Sequence, residues 1–192
     1  QKVITLEKNG DNFDVVIPSR SLREFTSVFS DDIETVEVFF ANNQILFRSE
    51  HISFYTRLLE GNYPDTDRLI PTEFNTEATF NVANLRFAME RARLLSNATQ
   101  NGTVKLEFKN GVVSSHVHSP EVGRVNEEID TSAVSGEDLS ISFNPTYLIE
   151  ALKAIDSEQV VIRFISSVRP FTLVPEGNEQ GFIQLITPVR TN

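Results

Sequence analysis

Hydrophobic and polar positions follow the same order three times along this chain: a helical stripe of apolar residues, then stretches that alternate as strands do. In the first pass, Leu22, Phe25 and Phe29 recur at helical spacing, and Ser19 is the predicted N-cap. The strands predicted to follow are residues 35–40, 45–48 and 51–58. Ahead of the helix, the turn at Asn9-Gly10 predicts a hairpin of residues 3–7 and 13–17.

The second and third passes repeat this order. Asn81 is the predicted cap of a second helix, whose apolar stripe is Leu85, Ala88, Met89, Ala92 and Leu95. Asn144-Pro145 combines a cap with proline at the first helical position and predicts a third helix. The remaining predicted strands are residues 79–81, 104–108, 112–118, 123–129, 139–143, 160–164, 168–174 and 182–189.

The three strand-to-helix junctions, at Ile17, Phe80 and Phe143, lie 63 residues apart. A short sheet with one helix cannot bury both of its faces alone, so each unit is predicted to be half of a domain. The predicted fold class is α+β. Residues 1–61 are then the second half of one domain, residues 62–71 a connector, and residues 72–192 a complete domain. Because the first residue lies inside a strand pattern and is not Met, we expect the chain to be a fragment.

The connector is predicted from residues that interrupt any regular period. Gly61, Asn62 and Pro64 favour turns and extended backbone. Leu69 and Ile70, however, are apolar without belonging to a helical or strand pattern. We therefore expect the connector to lie on a neighbouring surface.

Composition and charge narrow the function classes. The 192 residues are 40% hydrophobic and include no Cys, which removes disulfides, thiolate catalysis and Cys-ligated metals and fits a reducing cytoplasm. The net charge of −10 alone disfavours nucleic acid. The three predicted helices nevertheless carry a net charge of +3, so the remaining residues carry −13. Such a distribution is typical of a protein that admits a polyanion on one surface, although chance is an alternative with so few charges.

Four motifs then resemble one family. They are R-L-L-E-G-N-Y-P-D-T at residues 57–66, S-F-N-P-T-Y-L-I-E-A-L-K-A-I at residues 142–155, R-P-F-T-L at residues 169–173, and Q-L-I-T-P-V-R at residues 184–190. In this order and spacing they resemble the bacterial DNA polymerase III beta subunit, the replicative sliding clamp. The resemblance implies a DNA clamp fold, with helices on one side and antiparallel sheets on the other. It also implies a non-catalytic processivity factor without cofactors, located in the cytoplasm.

The resemblance further implies several surfaces and partners. DNA polymerases and clamp loader subunits would insert short peptides into a pocket, and two full-length subunits would close head to tail around duplex DNA, which they bind independently of sequence. The present fragment would be monomeric. The matching pocket positions are Pro64, Leu69, Asn144, Tyr147, Val168, Pro170, Leu185, Thr187, Pro188, Val189 and Arg190. The arginines expected to face DNA are Arg20, Arg23, Arg86, Arg91 and Arg93, and the subunit contact matches Leu94, Leu95, Glu127 and Glu128.

Two alternatives remain open from the residues alone. Leu69 and Leu185 are more simply interpreted as core contacts, and Asn144 as a helix cap. His116 and His118 lie on one face of a predicted strand and are the only basis for the alternative function, a metal-dependent hydrolase. Glu127 and Glu128 are adjacent on a strand, so they point to opposite faces and are poorly placed to act together as acid and base.

Overall fold

The computed structural model describes residues 1–4, 13–29, 32–61, 63, 65–96, 102–119, 123–177 and 181–190. The chain divides into two compact units. The first unit is Leu6–Asp65, and the second consists of Gln1–Thr5 and Thr66–Asn192. No helix in these ranges is long and apolar enough to span a membrane.

The described residues of the first unit form one helix and one antiparallel sheet. Its elements are α1 (Ser19–Val28), β1 (Glu37–Ala41), β2 (Gln44–Arg48) and β3 (Ser53–Arg57), and the strands pair in the order β1-β2-β3. Phe25 of α1 packs on the sheet, with its ring centroid 4.6 Å from that of Phe47 and 6.2 Å from that of Phe54. The helix therefore covers one face of the sheet through aromatic contacts.

The second unit contains two helices and nine strands among its described residues. In chain order they are β4 (Thr76–Asn81), α2 (Val82–Ser96), β5 (Val104–Lys109), β6 (Val112–Ser119), β7 (Gly123–Ile129), β8 (Ala133–Gly136), β9 (Leu139–Phe143), α3 (Pro145–Lys153), β10 (Gln159–Phe164), β11 (Phe171–Pro175) and β12 (Gln184–Ile186). A short 3-10 helix, Asp67–Leu69, precedes them.

These strands form two antiparallel sheets in which the two halves of the unit exchange strands. One sheet has the order β12-β11-β10-β4-β8 and the other β7-β6-β5-β9. Thus β4, which leads into α2, pairs with β10 of the second half, and β9, which leads into α3, pairs with β5 of the first half. The helices pack against each other, and a single apolar core with Phe80, Phe143 and Leu148 fully buried lies between helices and sheets.

The structure confirms the internal repeat. The three helices begin at residues 19, 82 and 145, which are 63 residues apart. An equivalent backbone hydrogen bond occurs in each repeat. The donor follows the later strands of the repeat, and the acceptor lies in the strand or segment that leads into the helix. These bonds run from Leu59 N to Val16 O at 2.8 Å, from Ser132 N to Thr79 O at 2.9 Å, and from Val189 N to Ser142 O at 2.7 Å.

Some local predictions differ from the structure, mainly at the ends of elements. Asn81 and Asn144 are side-chain caps, as predicted, but Ser19 is the first helical residue and Pro18 occupies the cap position without a side-chain bond. Residues 13–17 form no strand. Most of the predicted hairpin lies outside the described residues, and Lys2 instead bridges Phe182. Strand β8 is an element that the pattern did not predict.

Candidate functional site

Several of the predicted pocket residues of the second unit lie around the start of α3 and the last strand. Asn144 Oδ1 accepts a hydrogen bond from Thr146 N at 2.9 Å, which caps α3 and fixes the position of Tyr147 one turn in. The Val189 N–H bonds the Ser142 carbonyl, so the chain after β12 runs beside the end of β9, two residues before Asn144. Predicted pocket positions that are far apart in the sequence therefore lie close together at the start of α3.

The pairing of β11 with β12 determines which side chains share a face. Thr172 lies opposite Leu185 and Phe171 opposite Ile186. Ile186 is buried in the core, while Leu185 and Thr187, on the opposite face by strand alternation, are half-buried and exposed. Pro170 precedes β11 and Thr187 follows β12, so both lie at the same end of this strand pair.

A cavity of about 310 Å³ opens between α3 and β12. Three of the predicted residues, Tyr147, Leu185 and Thr187, line it together with Glu150, Ala151, Gln184 and Ile186. Gln184 Nε2 donates a hydrogen bond to the Ala151 carbonyl oxygen at 2.7 Å, which links β12 to α3. The sequence reasoning missed Glu150 and Ala151, although they lie three and four residues after Tyr147 and therefore on the same helical face.

The other predicted pocket residues do not line this cavity. Leu69 ends the 3-10 helix with 57% of its surface exposed, so its interpretation as a core contact is wrong. Val168 and Val189 are also exposed apolar residues, and Pro188 and Arg190 lie in the tail after β12. Pro64 lies outside the described residues. Among the predicted apolar residues, the structure places Tyr147 on α3 and Val189 beside the end of β9, and both are exposed.

Four of the five predicted DNA-facing arginines fall into two pairs along helices. Arg20 and Arg23 are exposed on α1, where Arg20 Nε bonds Glu24 Oε1 at 3.0 Å. Arg86 and Arg93 are seven residues apart on α2 and share a face. Arg86 Nε lies 3.8 Å from Glu90 Oε1, and its guanidinium lies 5.4 Å from the Phe87 ring centroid.

Arg91 lies on a different side of α2 and joins two surfaces that the sequence reasoning treated separately. Its guanidinium makes two hydrogen bonds to the Glu127 carboxylate on β7, one of them from Nε to Oε2 at 3.2 Å. The side-chain hydrogen bond to Glu127 raises the pKa of Arg91. A predicted DNA contact and a predicted subunit contact are thus one ion pair.

Near this ion pair, α2 and β7 enclose a shallow cavity of about 280 Å³. Its lining includes Phe87, Arg91, Glu127 and Glu128. Leu94 is largely exposed at the end of α2, whereas Leu95 packs against the core. Strand β7 is an edge strand, with no further strand beside it in the described part of the chain, so this face offers both apolar groups and free backbone groups.

The proposed metal ligand His116 has other partners. Its Nδ1 lies 2.7 Å from Asn126 Oδ1 and its Nε2 lies 2.9 Å from Ser114 Oγ, so both ring nitrogens are engaged. The described residues contain no group of three or more His, Asp or Glu side chains that could hold a metal ion, and His118 does not complete one. The hydrolase alternative therefore gains no support from the geometry.

Comparisons with known proteins agree along the whole chain. The sequence model of the DNA polymerase III beta subunit central domain matches residues 1–65, and that of its C-terminal domain matches residues 67–190. The Beta sliding clamp of Streptococcus pneumoniae is 80% identical over 192 residues, which are 100% of this chain and 51% of that protein. The Beta sliding clamp of Lactococcus lactis is 53% identical over 194 aligned residues, and the alignment covers 100% of this chain and 51% of that protein. The chain thus spans about half the length of these curated relatives.

Solved structures give the same result. The DNA polymerase III beta chain of Streptococcus pneumoniae superposes with a TM-score of 0.96 at 79% identity, over 99% of this chain and 50% of that one. The sliding clamp of Bacillus subtilis superposes with a TM-score of 0.92 at 36% identity, over 100% of this chain and 50% of that one. With the DNA clamp fold confirmed and both domain models matched in order, the chain belongs to the DNA polymerase III beta subunit family, the bacterial sliding clamps.

Proposed function

We propose that this chain is part of a sliding clamp, a non-catalytic processivity factor that encircles DNA in the bacterial cytoplasm and tethers polymerases and the clamp loader. The observation that carries the proposal is the match to two successive clamp domains across nearly the whole chain. We further propose that residues 1–61 are the second half of the central domain, residues 62–71 the connector, and residues 72–192 the complete C-terminal domain.

Charge sorting supports the DNA-facing surface. With the observed helix bounds, the helices carry +3 on a chain of −10, which leaves −13 for the sheets and loops. Arg20, Arg23, Arg86 and Arg93 then supply loose phosphate contacts that carry no sequence information, as sliding requires. Arg91 lies on a different side of α2, where it is bonded to Glu127, so it would add only a more distant positive charge.

The exposed apolar surface around α3 and β12 supports the peptide pocket. We propose that Leu69, Tyr147, Val168, Leu185 and Val189 receive the apolar residues of a partner peptide. Asn144, Pro170, Thr187, Pro188 and Arg190 would line its edges. Apolar clefts with a few polar groups are the usual form of such sites.

A calorimetric titration tests the pocket. The probe is a short peptide with a glutamine followed by an apolar pair, and the control is the same peptide with alanine at all three positions. We expect saturable 1:1 binding of the first peptide and none of the second. Equal heats for both peptides would contradict the proposed pocket.

We also propose that the subunit contact uses Leu94, Leu95, Glu127 and Glu128, and that this chain does not close a ring. A head-to-tail ring joins two different surfaces, and one alone cannot close it. The chain should therefore be monomeric in dilute solution. A stable ring-shaped dimer at about 1 µM, seen by light scattering, would contradict this.

A further inference from the structure

The cavity between α3 and β12 shares Tyr147, Leu185 and Thr187 with the proposed peptide pocket, but it also has polar groups that apolar peptide residues would leave unpaired. Two of these groups are the carboxylate of Glu150 on α3 and the side-chain amide of Gln184 on β12. No lysine or arginine is among the described residues that line the cavity. A ligand group that matches these oxygen acceptors must donate hydrogen bonds, and the carboxylate favours a positive charge on it.

Glu150 presents a charged oxygen to this cavity. Lys153 Nζ donates a hydrogen bond to Glu150 Oε1 at 2.8 Å. This hydrogen bond, together with the positive charges of Lys153 and Arg93, lowers the pKa of the Glu150 carboxyl, so the carboxylate is ionised at neutral pH. Oε2 has no hydrogen-bond partner among the described residues. One acceptor oxygen of Glu150 therefore remains available to a ligand.

The contact with Lys153 leaves the site open. The side chains of Lys153 and Glu150 are 51% and 60% exposed, and an ion pair between exposed side chains three residues apart on a helix stabilises weakly. Lys153 does not line the cavity. A cation of a partner can therefore share the carboxylate through Oε2 while Lys153 stays on Oε1.

Gln184 and Tyr147 offer the further contacts that a guanidinium group uses. Gln184 Nε2 donates to the Ala151 carbonyl oxygen, which orients the amide and leaves Oε1 as an acceptor that no described residue occupies. Tyr147 lies one turn before Glu150 on α3 with 59% of its surface exposed, so its ring can take a cation on its face. Arginine is planar and has several N–H donors, so it can stack on a ring and bond two acceptors at once, which lysine does less well.

We propose that this cavity binds an arginine side chain of the peptide that occupies the proposed pocket. Glu150 supplies the opposite charge, Gln184 Oε1 the second acceptor and Tyr147 the stacking surface. The alkyl part of the arginine lies against Ala151 and Leu185. The site rests on the function proposed above, because it adds to the same peptide surface, and it selects among partner peptides by the residue that flanks their apolar pair.

Calorimetric titration with three peptides measures this selectivity. The neutral peptide has a glutamine, an apolar pair and glycine at both ends, and the other two carry one arginine near the N-terminal or the C-terminal end. We expect one arginine peptide to bind about three- to tenfold more tightly than the neutral peptide. The other should gain much less, because the cavity lies on one side of the pocket. Equal gains at both ends would indicate general attraction to a chain of net charge −10 and would overturn the proposal.

Glu150→Gln removes the charge and keeps the shape of the side chain. It should abolish the gain from arginine, while the Kd of the neutral peptide and the thermal melt stay close to those of the wild type. The matched control is Glu24→Gln, since Glu24 is also an exposed helical glutamate that bonds a neighbouring cation, Arg20. This control should leave the gain unchanged. A gain that survives in Glu150→Gln would show that the arginine binds elsewhere.

A charge exchange gives a result that a structural role of Glu150 would not produce. Glu150→Lys should prefer a peptide with glutamate at the effective end over the arginine peptide. If the wild-type chain already prefers the glutamate peptide, Lys153 and Arg93 dominate the local field and the cavity is not an arginine site.

Failure of the arginine site is distinguishable from failure of the pocket. If the neutral peptide binds and arginine adds nothing, only the arginine site is refuted and the proposed function stands. If the neutral peptide binds no better than its alanine control, the pocket itself is refuted, and the arginine site with it.

Discussion

Changing Leu69 to alanine tests whether this residue binds a partner peptide or packs in the core. With 57% of its surface exposed, Leu69 has little packing to lose when it is changed to alanine. We expect Leu69→Ala to lower the free energy of unfolding by about 1 kcal/mol or less, which is a melting temperature shift of about 2–4 °C for a chain of this size. A buried leucine would instead lose about 2–5 kcal/mol.

Peptide binding should respond more strongly than stability. Full burial of a leucine side chain is worth about 1.5–3 kcal/mol, and the exposed 57% is what a bound peptide could cover. The loss on truncation is then about 1–2 kcal/mol, a rise in Kd of roughly five- to thirtyfold. The chain offers a matched control in Leu59, which is 54% exposed in the first unit and outside the pocket. Leu59→Ala should leave the Kd unchanged.

The assay is a calorimetric titration of each variant with the glutamine-containing peptide, paired with a thermal melt. An unchanged Kd for Leu69→Ala would remove Leu69 from the pocket. A Kd that rises equally in Leu69→Ala and Leu59→Ala would show that the loss is not specific to this site. A drop in melting temperature well beyond that of Leu59→Ala would restore the core interpretation.

Three further predictions concern the tail after β12, the DNA-facing arginines and Gly136. Removal of residues 188–192 deletes a tail beyond the last strand, so it should raise the peptide Kd about tenfold or more while a thermal melt stays close to that of the wild type. Duplex DNA should bind weakly and lose affinity steeply with salt in an anisotropy titration, and Arg20→Ala should weaken binding equally on unrelated sequences; sequence preference or salt-insensitive binding would argue against the phosphate-contact assignment. Gly136→Ala should lower the free energy of unfolding of the second unit by about 3 kcal/mol or more, because at φ +97° its Cβ would lie 1.9 Å from the Asn75 carbonyl oxygen. The control is Gly123→Ala, at φ +109° with no atom within 4 Å of the added Cβ. In a denaturant titration, the control should lower the free energy of unfolding much less.

The repeat and the elements were predictable from the sequence because both depend on local patterns. The helix stripes, the caps at Asn81 and Asn144, and strands such as Gly123–Ile129 and Leu139–Phe143 follow from hydrophobic period and turn chemistry. The errors are also local. Pro18 occupies the cap position predicted for Ser19, and residues 13–17 have a strand pattern but form no strand ladder with any described residue.

The site was predictable only through the family motifs, because its residues come from separate parts of the chain. Pattern alone favoured a core role for Leu69, and only its exposure in the folded unit excludes that role. Similarly, Glu150 and Ala151 line the cavity because β12 returns to α3, a contact between residues about 35 positions apart that no local period encodes.

The sequence by itself therefore determined most of the elements, the 63-residue repeat and the charge difference between the helices and the rest of the chain. Only the tertiary structure decided which strands the halves exchange and that Arg91 bonds Glu127. It also decided that Leu85 and Leu148 are fully buried where α2 and α3 pack against each other. The physical reason is that hydrophobic period specifies which side of an element is buried, whereas the identity of the element that buries it depends on long-range pairing, which is settled only when the whole unit folds.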